Sequence, residues 1–445
     1  MKSKIGLYTA LSLVVANMVG TGVFTSLGFQ LLGISDFSAI MLLWIAGGVI
    51  ALFGSFAYSE LGAAIPRSGG EYRFLSEIYH PLVGFLSGWI SATIGFAAPV
   101  AAAAWALGKY VNTIYPTASA QLIGAAVIVL ITIIQSLNYK VGNGFQSVST
   151  TLKIVLILVL IVCGLFYVNP VAISVLPTEN TWRDITGASF AISLVYVSYA
   201  YSGWNASSYI AGEMKNPKRN IPLSILGGTI LVSALYILLN YVFLKTAPVA
   251  EMRGVAEVAF VSAKHIFGEA GSKLISAMIS LLLVSTISSM IIVGPRVIHA
   301  MGEDYPLFAL LTRKNKNDIP VSAIMLQSII SLVLLFTSSF DSIITCISFT
   351  LTLFSTLTVF GVIVYRIRKP EMERPYKTFG YPFTPLIYLA INVWFLYFVF
   401  VGKTEESLVG LGIVALGAVV YFVTDFLLKK KQLAGKNEQE IVDSL

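Results

Sequence analysis

Two short runs could grip a charged small molecule with no ionisable side chain of their own: Gly20-Thr21-Gly22 and Tyr201-Ser202-Gly203-Trp204-Asn205. Each lies inside a long apolar stretch, 7–32 and about 185–211. In hydrocarbon, an opened helix frees N–H and C=O groups that are tolerated only where protein buries them or a wet cavity receives them. The half-helix after such a break offers N–H groups suited to an anion, and the half before it offers carbonyls suited to a cation. A zwitterion such as an amino acid carries both charges. The expectation is that a carboxylate meets the Thr21 hydroxyl and the N–H groups around Gly20 and Gly22, and an ammonium meets carbonyls near Met18 and from Tyr199 to Ser202. Tyr199, Tyr201 and Trp204 then close over the rest of the ligand, with Asn205 adding a polar contact. Taken singly, the glycines also read as close-packing positions and the aromatics as ordinary helix-packing groups. Paired interruptions in corresponding segments point instead to a transporter's binding site.

Lys153 sits about six residues inside an apolar stretch, where it either snorkels to the interface or carries function. In the functional reading its ammonium occupies the place of a sodium ion between the interrupted first stretch and a hydroxyl-rich later one. That later stretch holds Ser285, Thr286, Ser288 and Ser289. Glu60 and Glu213 lie near stretch ends and are expected to form structural ion pairs with Arg67 and Lys215. With no carboxylate at mid-stretch in the segments expected to form the pocket, a cationic ligand would lack a counter-charge, which favours neutral amino acids. His80, His265 and His299 are scattered, and no H-E-x-x-H, G-x-S-x-G or phosphate-cradling loop is present, so neither an enzyme nor a metal or cofactor is expected.

These residues must be held by elements that live in lipid. Of 445 residues 56% are hydrophobic and 11% charged, with mean hydropathy +0.82, far from the composition of soluble domains. A span needs about 20 apolar residues, and twelve stretches fit, near 7–32, 38–65, 78–112, 120–137, 147–168, 185–211, 222–246, 272–301, 320–339, 342–366, 384–402 and 407–428. The first is too long for a signal-peptide core and is read as retained. Placing both termini in the cytoplasm puts 21 Lys and Arg residues at inside ends, Lys2, Lys4 and Lys140 among them, and seven outside, leaving Lys153 within a span, as the positive-inside rule asks. The net charge of +7 is thus an orientation signal with an affinity for anionic lipid, and nucleic acid is not implied. Cys163 and Cys346 lie in apolar stretches and read as buried packing residues.

Spans 2–5 and 7–10 run in step, offset by about 180 to 200 residues, with the two interrupted spans heading the units. An odd number of spans per unit inverts the second unit in the membrane. The organisation expected is a single transporter domain over 1–445, with repeat one at 7–168, repeat two at 185–366, two further spans at 384–428 and a cytoplasmic tail at 429–445. Residues 247–271 carry Val255, Val258, Ala259 and Ile266 at helical spacing, either a lid or a helix on the headgroups. Residues 367–383 read as a charged, proline-rich connector without chemistry.

Three motifs carry a family likeness: Asn17-Met18-Val19-Gly20-Thr21-Gly22-Val23-Phe24; Tyr58-Ser59-Glu60-Leu61-Gly62 on through Pro66-Arg67-Ser68-Gly69-Gly70-Glu71-Tyr72; and Tyr201–Asn205 running into Ala211–Pro222. The chain resembles the amino acid-polyamine-organocation superfamily, near its bacterial amino acid permeases and L-type exchangers. The resemblance implies an all-α membrane protein of 12 transmembrane helices with a LeuT-type five-plus-five inverted repeat, discontinuous helices 1 and 6, and alternating access. It also implies recognition of α-amino and α-carboxyl groups by those two helices. Lys153 matches the span 5 lysine that several such permeases use in place of sodium. Thr21 stands where many relatives have serine and keeps the hydroxyl, whereas span 8 is serine-rich where relatives often show glycine and asparagine, leaving room for a cation site. The resulting expectation is a secondary transporter of neutral amino acids, exchanging them or coupling to protons through Lys153. A sodium-coupled symporter and a substrate sensor on the same fold are the alternatives. A monomer or homo-oligomer suffices, and no accessory subunit is implied.

Overall fold

The computed structural model describes residues 5–443 except 35, 117–118, 138, 172–175 and 318, and the side chains of 139–147, 306 and 427–443 are not described. Lys2 and Lys4 of the orientation argument lie outside the described residues, as do the side chains of Lys140, Lys429, Lys430, Lys431 and Lys436. Among the described residues the elements are helices, apart from an isolated bridge between Ile5 and Met214: α1 (Leu7–Met18), α2 (Gly22–Gln30), α3 (Phe37–Ala64), α4 (Glu71–Ile78), α5 (Pro81–Ile90), α6 (Ala97–Asn112), α7 (Ala120–Leu137), α8 (Tyr139–Leu165), α9 (Glu179–Thr186), α10 (Ala188–Tyr201), α11 (Pro217–Thr246), α12 (Val249–Met252), α13 (Val258–Asp304), α14 (Val321–Thr337), α15 (Phe340–Arg368), α16 (Phe383–Gly402) and α17 (Thr404–Asp443). A π-helical turn at Ser91–Gly95 links α5 to α6, and a 3-10 segment, Ala206–Glu213, follows α10.

Among the described residues, ten helical stretches are long and apolar enough to cross a bilayer, counting α1 with α2 and α5 with α6. Two of the twelve expected spans fall short of that mark for local reasons. The stretch at 185–211 stops being α-helix at Tyr201 after 14 residues, and α14, at 320–339, has 17 residues. Long apolar side chains such as Leu122, Val129, Leu130 and Ile133 are exposed along one side of α7, as expected of a helix facing lipid rather than water. The interior is instead rich in small residues that let backbones approach. A Cβ on Gly108 would sit 2.0 Å from the Ala120 carbonyl oxygen, and one on Gly124 would sit 2.6 Å from that of Ala104, which locks α6 to α7.

The segment before α13 folds onto the end of α2 and does not lie free. The Gly254 N–H donates to the Gly28 carbonyl at 2.8 Å, Arg253 Nε donates to the Leu31 carbonyl at 2.9 Å, and Val258 and Ala259 are fully buried.

The expected ion-pair partners are corrected. Glu60 binds Arg366 through two bonds of 2.8 and 2.6 Å and Thr378 through its N–H and hydroxyl, with Arg374 Nε 3.4 Å away, while Glu213 pairs with Arg296 at 3.5 Å. Residues 367–383 are therefore an anchored strap, because a carboxylate with 3% of its side chain exposed draws Arg374 and Thr378 onto it.

Candidate substrate site at two interrupted helices

Helix α1 ends at Met18. Val19 leaves helical geometry (φ −76°, ψ 83°), and α2 resumes at Gly22. Helix α10 ends at Tyr201; Ser202 is extended, and Gly203 takes φ +92°, a conformation that a Cβ strains. The two interruptions pack on one another. A Cβ on Gly22 would come within 2.5 Å of the Ala200 Cα, and one on Gly203 within 3.0 Å of the Asn17 backbone. Gly22 is therefore fixed by contact, and Gly203 by contact as well as by conformation. Thr21 Oγ1 and the Tyr199 hydroxyl share a 2.7 Å hydrogen bond across the junction.

The freed carbonyls before the first interruption are occupied by the protein's own donors. Lys153 Nζ donates to the Val19 carbonyl at 2.9 Å, to the Ala16 carbonyl at 3.5 Å and to Thr286 Oγ1 at 2.8 Å, and its residue is 1% exposed. Snorkelling is thereby ruled out: the ammonium bridges the broken helix to α13. The Tyr236 hydroxyl donates to the Met18 carbonyl at 2.6 Å. Of the hydroxyls expected beside the lysine, Thr286 alone makes a described bond to it. Ser288 Oγ accepts from Gln135 Nε2 at 2.8 Å, and Ser285 and Ser289 are buried on the same helix.

A cavity of about 110 Å³ adjoins the second interruption, room on the scale of a small solute when one water needs about 10–15 Å³. Tyr201, Ser202, Gly203, Trp204 and Asn205 all line it, facing Asn17 of α1, the π turn at Ser91 and Gly95, Phe96, Met290 and Val293 of α13, and Thr352 and Ser355 of α15. Met18, Gly20, Thr21, Gly22 and Tyr199 stand behind this wall and do not line the cavity. Tyr201 is held by a bond from its hydroxyl to the Trp44 carbonyl at 3.1 Å, and Trp204 meets the Tyr58 ring edge-on at 4.6 Å between centroids.

Sequence reasoning missed one wall of this cavity. Glu71, from α4, reaches it and accepts hydrogen bonds from the Tyr58 hydroxyl and from Asn205 Nδ2 at 3.1 Å. No carboxylate stands at mid-stretch in the pocket-forming spans, but Glu71 arrives from outside them, so the inference from that absence to a cavity without a counter-charge is corrected. Gly69 (φ +120°) and Gly70 (φ +55°) turn the chain back on itself, and the Gly69 N–H donates to the Tyr209 carbonyl at 3.3 Å, carrying Glu71 inward from the loop. The Gly69-Gly70 pair before an acidic residue was the available signal. The π turn is the other missed element, and such bulges recur at functional sites. Among the described residues no cluster of three or more His, Cys, Asp or Glu is placed to hold a metal, and Cys163 and Cys346 are free thiols, half-buried.

An all-helical, multi-span membrane protein with two interrupted helices packed together beside a small cavity is consistent with a membrane transporter. Residues 5–422 match the amino acid permease family, and the chain belongs to that family, within the amino acid-polyamine-organocation superfamily. It is 29% identical over 396 residues to the serine/threonine exchanger SteT of Bacillus subtilis, covering 88% of this chain and 89% of that protein. It is 28% identical over 389 residues to the human b(0,+)-type amino acid transporter 1, covering 85% and 79%. With the mouse large neutral amino acids transporter small subunit 2, identity is 26% over 433 residues, covering 95% and 81%. The chain is thus an integral membrane protein of amino acid transport and not an enzyme.

Proposed function

We propose that the chain is a secondary active transporter that moves neutral L-amino acids across the cytoplasmic membrane by alternating access, independently of sodium, as an exchanger. The observation that carries this reading is the mutual packing of two interrupted helices beside a small cavity, Gly22 on Ala200 and Gly203 on Asn17. The interrupted helices then head two inverted five-helix repeats of a LeuT-type fold, 7–168 and 185–366, followed by spans at 384–428 and a tail at 429–445. On this reading α10 with its 3-10 continuation, and α14, complete twelve spans. Both termini lie in the cytoplasm, and one chain or a homo-oligomer does the work.

The neutral substrate class is supported by the hydroxyls and aromatic faces of the cavity wall and by the similarity to a serine/threonine exchanger and to a large neutral amino acids transporter subunit. The substrate's charged ends address the interruption through Ser202, Gly203 and Asn205, with Gly20, Thr21, Gly22, Met18 and Tyr199 shaping it from behind. Sodium independence is supported by Lys153, whose ammonium already bridges Val19 and Thr286. Proton coupling is a second reading, favoured by the buried carboxyl of Glu71 on the cavity wall.

Purified chain in vesicles preloaded with serine, threonine or leucine tests the proposal. Uptake that requires an internal amino acid and is unchanged when choline replaces sodium is expected. Absence of any amino acid flux, or loss of flux in choline, contradicts it.

A further inference from the structure

Among the described residues Glu71 is the one carboxylate on the cavity wall, and it is 4% exposed. The groups bonded to it are neutral donors: the Tyr58 hydroxyl and Asn205 Nδ2 on Oε1, and Ser87 Oγ, at 3.5 Å, on Oε2. The titratable groups facing it are Tyr58 from α3, Tyr209 from the 3-10 segment and Tyr388 from α16, while α5 contributes Ser87. Charged groups elsewhere on α4 are engaged away from it, Arg73 with Asp304 of α13 and Glu77 with Tyr365 and Lys369. Burial pushes the Glu71 carboxyl up to about 7, against the pull of its hydrogen-bond donors. The donor set suits the ionised form and the surroundings suit the neutral one, so the site is poised between two states. Asn205, the residue that Glu71 holds, opens the second half of the interrupted helix.

We propose that Glu71 is a proton-linked positioning residue of the transport cycle. Ionised, it anchors Asn205, the residue from which the segment Ala206–Glu213 starts; protonated from bulk solvent, the proton relayed by water in the cavity, it loosens that hold. The proton adds to a carboxylate oxygen, which no longer attracts the Asn205 amide as an anion does, and it leaves by the same wet route. The inference rests on the transport reading, and its test separates the two.

Trp204 packs on Tyr58 and reports on this cluster. Full-length protein in lipid nanodiscs, without substrate, is titrated from about pH 5.5 to about pH 8.5 by tryptophan fluorescence, with Trp204→Phe isolating that ring's signal. A one-proton transition near neutral pH is expected in the parent protein and none in Glu71→Gln. Tyr58→Phe removes a donor to the ionised form and is expected to move the midpoint upward. In vesicles, the parent's serine uptake should rise several-fold from the alkaline to the acid end of that range, while Glu71→Gln stays flat at the acid-side rate. A flat Trp204 signal in the parent, or a transition retained in Glu71→Gln, overturns the inference. Where Glu71→Gln fails to insert, an unmoved midpoint in Tyr58→Phe overturns it. Vesicles that move no amino acid at all overturn the transport reading, while the fluorescence titration is judged by its own outcome.

Discussion

The two interruptions solve the same problem in opposite ways. At the first, the carbonyls of Val19 and Met18 accept bonds from Lys153 and Tyr236, and Thr21 is tied to Tyr199. At the second, Ser202, Gly203, Trp204 and Asn205 line a cavity, while the backbone there bonds within its own segment: the Ser202 N–H and hydroxyl donate to the Tyr199 carbonyl, the Ala206 N–H to that of Gly203 and the Ser208 N–H to that of Asn205. Opened backbone in lipid must be satisfied, and this molecule brings in distant donors at the first interruption and uses local ones at the second. The first interruption is thus tied to the rest of the bundle through Lys153 and Tyr236, whereas the second presents its side chains to a cavity.

The largest expected effect strikes where the two regions touch. Gly22→Val places branched carbon where 2.5 Å separates a Cβ from the Ala200 Cα, and main chain cannot yield as a side-chain tip does. Uptake should vanish while membrane insertion, followed by alkaline extraction, persists; normal uptake would dissolve the comparison. Next comes Lys153→Met, which leaves the Val19 carbonyl and the Thr286 hydroxyl without their donor. At about 1–3 kcal/mol for each stranded buried group, the two together cost about 2–6 kcal/mol, and uptake should fall at least about thirtyfold. Gly203→Ala imposes about 1–2 kcal/mol of backbone strain and should slow uptake roughly tenfold, read as initial rates at matched surface expression. The smallest effect belongs to Ser288→Ala. Its hydroxyl bonds Gln135 and not Lys153, so the cost of about 1–3 kcal/mol for the stranded Gln135 amide falls on stability, uptake per inserted molecule should change by less than about twofold, and any larger sodium-specific loss would revive a cation site on α13.

Much of this contrast was legible in the chain. Glycines within apolar runs announce where helices open, because glycine reaches φ values such as the +92° of Gly203 at low cost. Lys153 was legible as an oddity, since a lysine in an apolar stretch needs acceptors, yet its bond to Thr286 and not to Ser288, which bonds Gln135, depends on which face of α13 turns toward α1. That rotation is set by packing and leaves no mark in composition. Glu60 finds Arg366 across 306 residues, whereas Arg67, its nearest basic neighbour in sequence, is not its partner. Ion-pair choice at that distance follows from helix placement. Glu71 escaped notice because it belongs to a loop by pattern and to the cavity by geometry, and only the turn at Gly69 and Gly70 connects the two.

The central claim is that the second interruption receives the substrate. With Cys163 and Cys346 replaced by alanine and Ser202→Cys introduced, the rate of alkylation by a small maleimide measures access to that wall directly. A transported amino acid should slow the reaction at least several-fold at Ser202→Cys and leave Ser288→Cys unaffected. Equal rates with and without amino acid at Ser202→Cys, in protein that still transports, would contradict it.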